Sequence, residues 1–119
     1  MYTYTNQNAE IYSKLGIKGT TYELRFSEAK NIFGDLTGKK VLDYGTGAGR
    51  TAQLLSSFGA KYVIGVDHNQ SMIAQAKKNN DENIEYFLID TKLPFEDNIF
   101  DAALCAHVMY ITRDGTNNN

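Results

Sequence analysis

A chain of 119 residues, 42% of them hydrophobic and with a formal charge of −2, has the apolar material for one buried core and lacks the charge excess of a disordered segment. Its 12 basic residues do not exceed its 14 acidic ones and form no long run, so no nucleic-acid partner is expected. Cys105 is the only cysteine, which excludes an internal disulfide and a zinc site of several thiolates. No apolar run approaches the roughly 20 residues of a membrane span, and MYTYTNQNAE does not read as a signal peptide. The expectation is a cytoplasmic protein with no metal and no membrane contact.

The first element expected is a short helix from Asn8 to Leu15, with Ile11 and Leu15 on one face and Gly16 behind it. A second helix is expected over Thr20 to Phe33, because Tyr22, Phe26, Ala29 and Phe33 recur at helical spacing. Thr20 and Glu23 suit a capping box, and Gly34 suits a left-handed stop. Residues 1–37 thus read as an N-terminal helical cap. From Lys40 the pattern alternates: VLDY as strand, TAQLLSSF as helix, YVIGV as strand, SMIAQAKKNN as helix, then IEYFLI and AALCAHVMYI as strands joined by DTKLPFEDNIFD. Nearly continuous apolar strands alternating with helices predict a parallel sheet with helices on both faces, an α/β domain over residues 38–119.

The stretch VLDYGTGAGR places Gly45, Gly47 and Gly49 in the first strand-to-helix turn, where ligands of such sheets bind. Glycine there permits positive φ and removes the Cβ that would hold a ligand off the backbone. The spacing departs from the dinucleotide fingerprint, whose third small residue falls on Arg50, and no Gly-Lys-Ser/Thr follows as a phosphate loop requires. Acids add to the turn: Asp43, Asp67 and Asp90 end three successive strands, while Asp101 opens the fourth and suits a structural role. A carboxylate just after the second strand can accept hydrogen bonds from both hydroxyls of a ribose, which points to an adenosine-type ligand.

The succession VLDYGTGAGR, GVDHNQSMIAQAKK and IDTKLPFEDNIFDAALC resembles the class I S-adenosylmethionine-dependent methyltransferases, over roughly Gly38 to Ile111. The resemblance implies a Rossmann-like sheet of strand order 3-2-1-4 and S-adenosyl-L-methionine as cofactor. It implies that Asp43, Gly45 and Gly47 approach the methionine moiety, that Asp67 holds the ribose, that Met72 packs on the adenine, and that Asp90 with Thr91 meets the adenine edge. Thr46, Gly49 and His68 complete the cofactor-binding set. Met72 also suits plain packing of its helix on the sheet, and Asp90 also suits a loop cap.

Methyl transfer from a sulfonium needs alignment above all, and a general base is optional. His107, near the end of the fourth strand, is the candidate for that base, with a purely structural role as its competitor. Cys105 has no activating neighbour in sequence. CAHVMY lacks the Asn-Pro-Pro-Tyr type of sequence found there in amino-group methylases of DNA, so a small-molecule methyl acceptor is expected. Tyr4, Tyr12 and Arg25 are candidates to close over the cofactor. The resemblance implies a seven-stranded sheet, for which strands five to seven have no residues after TRDGTNNN. The fourth strand is therefore expected to be exposed and to pair with its copy in a homodimer. Two other readings stay open: a catalytically inactive module binding S-adenosylmethionine or S-adenosylhomocysteine and, further off, an NAD-dependent oxidoreductase.

Overall fold

The computed structural model describes residues 20–25, 36–79, 81–90, 92–96, 99–105 and 108–113. Its elements in chain order are β1 (Thr20–Arg25), β2 (Lys40–Tyr44), α1 (Arg50–Ser57), β3 (Tyr62–Asp67), α2 (Gln70–Lys77), β4 (Ile84–Leu88), β5 (Ala102–Cys105) and β6 (Val108–Arg113). They form one six-stranded sheet in the order β1-β6-β5-β2-β3-β4. The inner contacts β2 with β3, β3 with β4 and β2 with β5 are parallel, which is the expected 3-2-1-4 arrangement. The chain leaves β2 toward β3 on one side and returns as β5 on the other. The carboxyl end of β2 is therefore the switch point where such sheets bind ligands.

Alternation along each strand sends side chains to two cores. On one face Val41, Val63, Ile84, Tyr86, Ala102, Leu104 and Met109 pack with Ala52 and Leu55 of α1 and with Ile73 and Ala76 of α2. On the other, Leu42, Tyr44, Ile64, Val66, Ala103, Cys105 and Tyr110 are covered by Ile89, Leu93 and Phe100. Among the described residues, then, both helices lie on one face, and the connection from β4 to β5 covers the other. Phe95 stands at the centre of that cover, edge-to-face against Phe87 and Phe100 with ring centroids 5.4 and 5.7 Å apart. Such aromatic geometry is worth about 0.5–1.5 kcal/mol per pair beyond the buried area.

Three expectations are corrected at the sheet margin. Residues 20–25 are a strand, not the start of a helix capped by Thr20 and Glu23: TTYELR pairs antiparallel with β6, Thr20 opposite Arg113 and Arg25 opposite Val108. Two threonines and a tyrosine suit a pleated ribbon, and cross-strand pairing overrides a weak helical period. The run AALCAHVMYI is two strands, with Cys105 opposite Val108 and Ala102 opposite Ile111 in antiparallel register. Consequently the outer edge of β5 is occupied by β6, and β6 by β1. The exposed fourth strand on which a homodimer was expected to form is thus already paired within the chain. The helix expected over Asn8 to Leu15, and Tyr4 and Tyr12 with it, lie outside the described residues.

Candidate cofactor-binding site

The loop after β2 is fixed from below before it meets any ligand. Gly45, Gly47 and Gly49 adopt φ of 83°, 59° and 93°, the left-handed region that a side chain disfavours. The Gly45 and Thr46 amides both donate to the Val66 carbonyl at 2.9 Å, and the Gly49 amide donates to the Thr46 carbonyl at 3.0 Å. The Gly47 amide donates to Asp67 Oδ2 at 2.8 Å. A Cβ added at Gly45 or Gly47 meets nothing within 4 Å, so these two backbone units border open space. Gly49 serves the interior instead. A Cβ there would stand 2.6 Å from the Tyr86 hydroxyl, because the Tyr86 ring lies beneath the loop. Gly65 on β3 is likewise required by Thr46 and Tyr86, whose atoms would sit 2.6 and 2.9 Å from its Cβ.

Asp67 ends β3 half-buried, with both oxygens engaged by backbone: Oδ2 by Gly47 N, and Oδ1 by Asn69 N at 2.9 Å. Each carboxylate oxygen keeps lone pairs for further donors. Asn69 then caps α2, its Oδ1 accepting from Ser71 N at 2.9 Å and Met72 N at 3.1 Å, a helix start that the sequence reading did not single out. Met72 on the first turn of α2 is 37% exposed, close to the 38% of Leu54 on α1. The Ile89 amide donates to the Asp67 carbonyl, which brings the exposed Asp90 beside the same rim. His68 is exposed and makes a 3.4 Å contact from Nε2 to the Tyr44 hydroxyl, its ring edge-on to Tyr44.

Asp43 differs from these. It is 2% exposed, and its Oδ2 accepts a hydrogen bond from Thr46 Oγ1 at 2.7 Å. Burial raises its pKa from 3.8 to about 6; the Thr46 bond opposes that rise and the nearby charge of Asp67 adds to it. Among the described residues it has no cationic partner. Burial, and then the charge of Asp43, also push up the Tyr86 hydroxyl and the Cys105 thiol. A buried thiol held protonated is a poor nucleophile, in line with the absence of an activating neighbour. Asp101 lies at the far end of the strands, where Oδ2 accepts from Lys40 N at 2.9 Å and its own amide donates to the Lys40 carbonyl at 2.8 Å. It staples β5 to β2, as its position at a strand start led one to expect. Thr91 and His107 lie outside the described residues.

Residues 41–118 match the family model described as a methyltransferase domain. The chain belongs to that family. Over 81 residues, this methyltransferase domain is 33% identical to a ubiquinone biosynthesis O-methyltransferase of Neisseria meningitidis, a match covering 63% of this chain and 34% of the relative. The chain thus spans about a third of the length of that curated relative. Among solved structures it is similar to an S-adenosylmethionine-dependent methyltransferase from Mesorhizobium loti, with 32% identity, TM-score 0.54, and coverage of 59% of this chain and 33% of that one. It is also similar to phosphoethanolamine N-methyltransferase 1 of Haemonchus contortus, solved with phosphoethanolamine and S-adenosylhomocysteine. There the identity is 27%, the TM-score 0.56, and the coverage 66% and 18%. The fold is that of the class I methyltransferases, whose cofactor is S-adenosylmethionine.

The residues at the strand tips fit that cofactor. Open space borders Gly45 and Gly47, a partly exposed carboxylate lies at the tip of the neighbouring strand, and an apolar Met72 lies at the rim. They fit a pyrophosphate less well, since the amides of Gly45, Thr46, Gly47 and Gly49 already have protein acceptors, one of them an anionic carboxylate.

Proposed function

We propose that this methyltransferase domain binds S-adenosylmethionine at the tips of β2, β3 and β4 and takes part in methyl transfer to a small-molecule acceptor. The observation that carries this reading is Asp67, whose carboxylate is oriented by two backbone amides at the edge of the open glycine loop. Gly45 and Gly47 would border the methionine end, Asp67 would take the ribose hydroxyls, and Met72 with Asp90 and Thr91 would line the adenine. Thr46 and Gly49 act from beneath, as loop supports, and His68 stands at the rim. When bound, the cofactor supplies a methyl group on a sulfonium, ready for in-line displacement by an O, N, S or C nucleophile. The chain's part is to hold the loop open, orient the carboxylate and keep the buried side of the loop dry. Orientation of this kind can supply several kcal/mol of a barrier.

A small-molecule acceptor is supported by the near-balanced charge of the chain and by the absence of an Asn-Pro-Pro-Tyr sequence after β5. The 38–119 segment is the cofactor-binding unit in this reading, with β1 contributed to its sheet by the first 37 residues. His107 is the base candidate, and His107→Ala should flatten the low-pH limb of the rate profile without changing cofactor affinity. No described helix is long and apolar enough to cross a membrane. The test is calorimetry with S-adenosylmethionine and S-adenosylhomocysteine. Binding of both, with methyl transfer to an added acceptor, supports the reading; no binding of either sinks it.

A further inference from the structure

Two carboxylates on adjacent strands grip two adjacent residues of the loop. Asp43 at the end of β2 accepts from the Thr46 side chain at 2.7 Å, and Asp67 at the end of β3 accepts from the Gly47 amide at 2.8 Å. The first carboxylate is buried and the second is only partly so. Among the described residues, the ionisable groups that act on Asp43 or feel its charge are Asp67 from β3, Tyr86 from β4 and Cys105 from β5, and none of these is a cation. The Thr46 hydroxyl is thus the one side-chain donor that Asp43 has among the described residues.

We propose that Thr46 is a positioning residue whose hydroxyl transmits the charge state of Asp43 to the glycine loop, so that the backbone at Gly47 and the affinity for adenosyl ligands follow one buried proton. The proposal deepens the cofactor-binding reading and rests on it only for the ligand. An ionised carboxylate accepts the Thr46 hydrogen in a charge-assisted bond, roughly twice as strong as a neutral one. A protonated carboxyl carries a hydrogen of its own and is a weaker acceptor, so the loop is held less firmly. Adenosyl amino acids carry an ammonium, which favours the ionised form through charge attraction. Burial without a cation brings this titration to about 6, within a range where the folded chain can be studied.

The experiment has a ligand-free arm and a ligand arm. In the first, the full 119-residue chain is titrated by NMR from about pH 4.5 to about 8, following the Asp43 carboxyl carbon and the Thr46 and Gly47 amide nitrogens. A shared midpoint near 6 is expected for all three. Thr46→Val should raise the Asp43 midpoint, because the lost bond is the one that lowers it, and should uncouple Gly47; Thr46→Ser should restore both. In the second arm, calorimetry with S-adenosylhomocysteine should show affinity falling by up to about tenfold per pH unit below the midpoint. Asp43→Asn should remove that dependence. A Gly47 amide indifferent to the Asp43 titration overturns the proposal, as does a Thr46→Val chain with unchanged midpoint and coupling. Should Thr46→Val not fold, the wild-type titration alone decides. Coupling without any S-adenosylhomocysteine binding would sink the cofactor reading and the ligand half of the proposal while the link from Asp43 through Thr46 to Gly47 stands, whereas binding without coupling would sink the proposal alone.

Discussion

The two ends of the parallel strands use the same residue type on the same kind of partner, with different results. At the amino end, Asp101 takes the Lys40 amide on its carboxylate while its own amide returns a bond to the Lys40 carbonyl, closing a ring between β5 and β2. At the carboxyl end, Asp67 also takes two backbone amides, Gly47 N and Asn69 N, but the backbone beside it borders open space. A carboxylate bonded to amides is therefore no mark of a site. What separates the ends is the glycine loop, which leaves open space at Gly45 and Gly47 on one side and accommodates the Tyr86 ring at Gly49 on the other.

The largest break in that contrast is expected from Gly49→Ala, which puts a Cβ into the Tyr86 hydroxyl at a φ of 93°. Left-handed strain and overpacking together should cost about 2–5 kcal/mol, read as a lower denaturation midpoint. Next is Asp43→Asn, which should stabilise the fold at pH 8 by something on the order of 3 kcal/mol, the worth of a shift from 3.8 to about 6. The sign follows from linkage. A carboxyl whose folded pKa is raised favours folding fully below 3.8, and this contribution is lost as pH rises through about 6, so the gain from the variant should vanish near pH 4. Urea melts at the two pH values check it.

A smaller effect separates the two ends directly. Asp67→Ala should weaken S-adenosylhomocysteine binding by about tenfold to a hundredfold in calorimetry, the worth of one or more charge-assisted bonds. Asp101→Ala should leave that affinity unchanged and cost about 1 kcal/mol of stability through the Lys40 amide. Equal effects of the two on binding would erase the distinction. The smallest expected effect is that of Tyr86→Phe. The Tyr86 hydroxyl is buried with no hydrogen-bond partner among the described residues, so its removal should be neutral or stabilising by up to about 1 kcal/mol.

The sequence made the loop and its acids legible because both signals are local. Three glycines after an apolar strand, and an aspartate at the end of each of the next two strands, need no tertiary knowledge, whereas the order of β4, β3, β2 and β5 was implied by the family resemblance that these motifs carry. The margin was illegible because pairing decides it. Tyr22 stands at helical spacing from Phe26, yet Thr20–Arg25 is a strand because Val108–Arg113 lies alongside. Ala102–Ile111 reads as one apolar run because Ala106 and His107 carry none of the Gly or Asn signals of a tight hairpin. The depth of Asp43 was equally hidden: an acid at a strand tip looks the same in sequence whether it meets solvent or, as here, the underside of a loop.

The pairing of β1 with β6 is also the contact of longest sequence separation in the described sheet. Thr20 meets Arg113, whereas β2 with β3 and β3 with β4 join strands that follow one another along the chain. Contacts of that separation carry the largest loop-closure cost in the sheet, so the β1 margin is expected to form later than the pairing of β2, β3 and β4. The strand tips at which the cofactor is proposed to bind belong to that inner set and not to the margin.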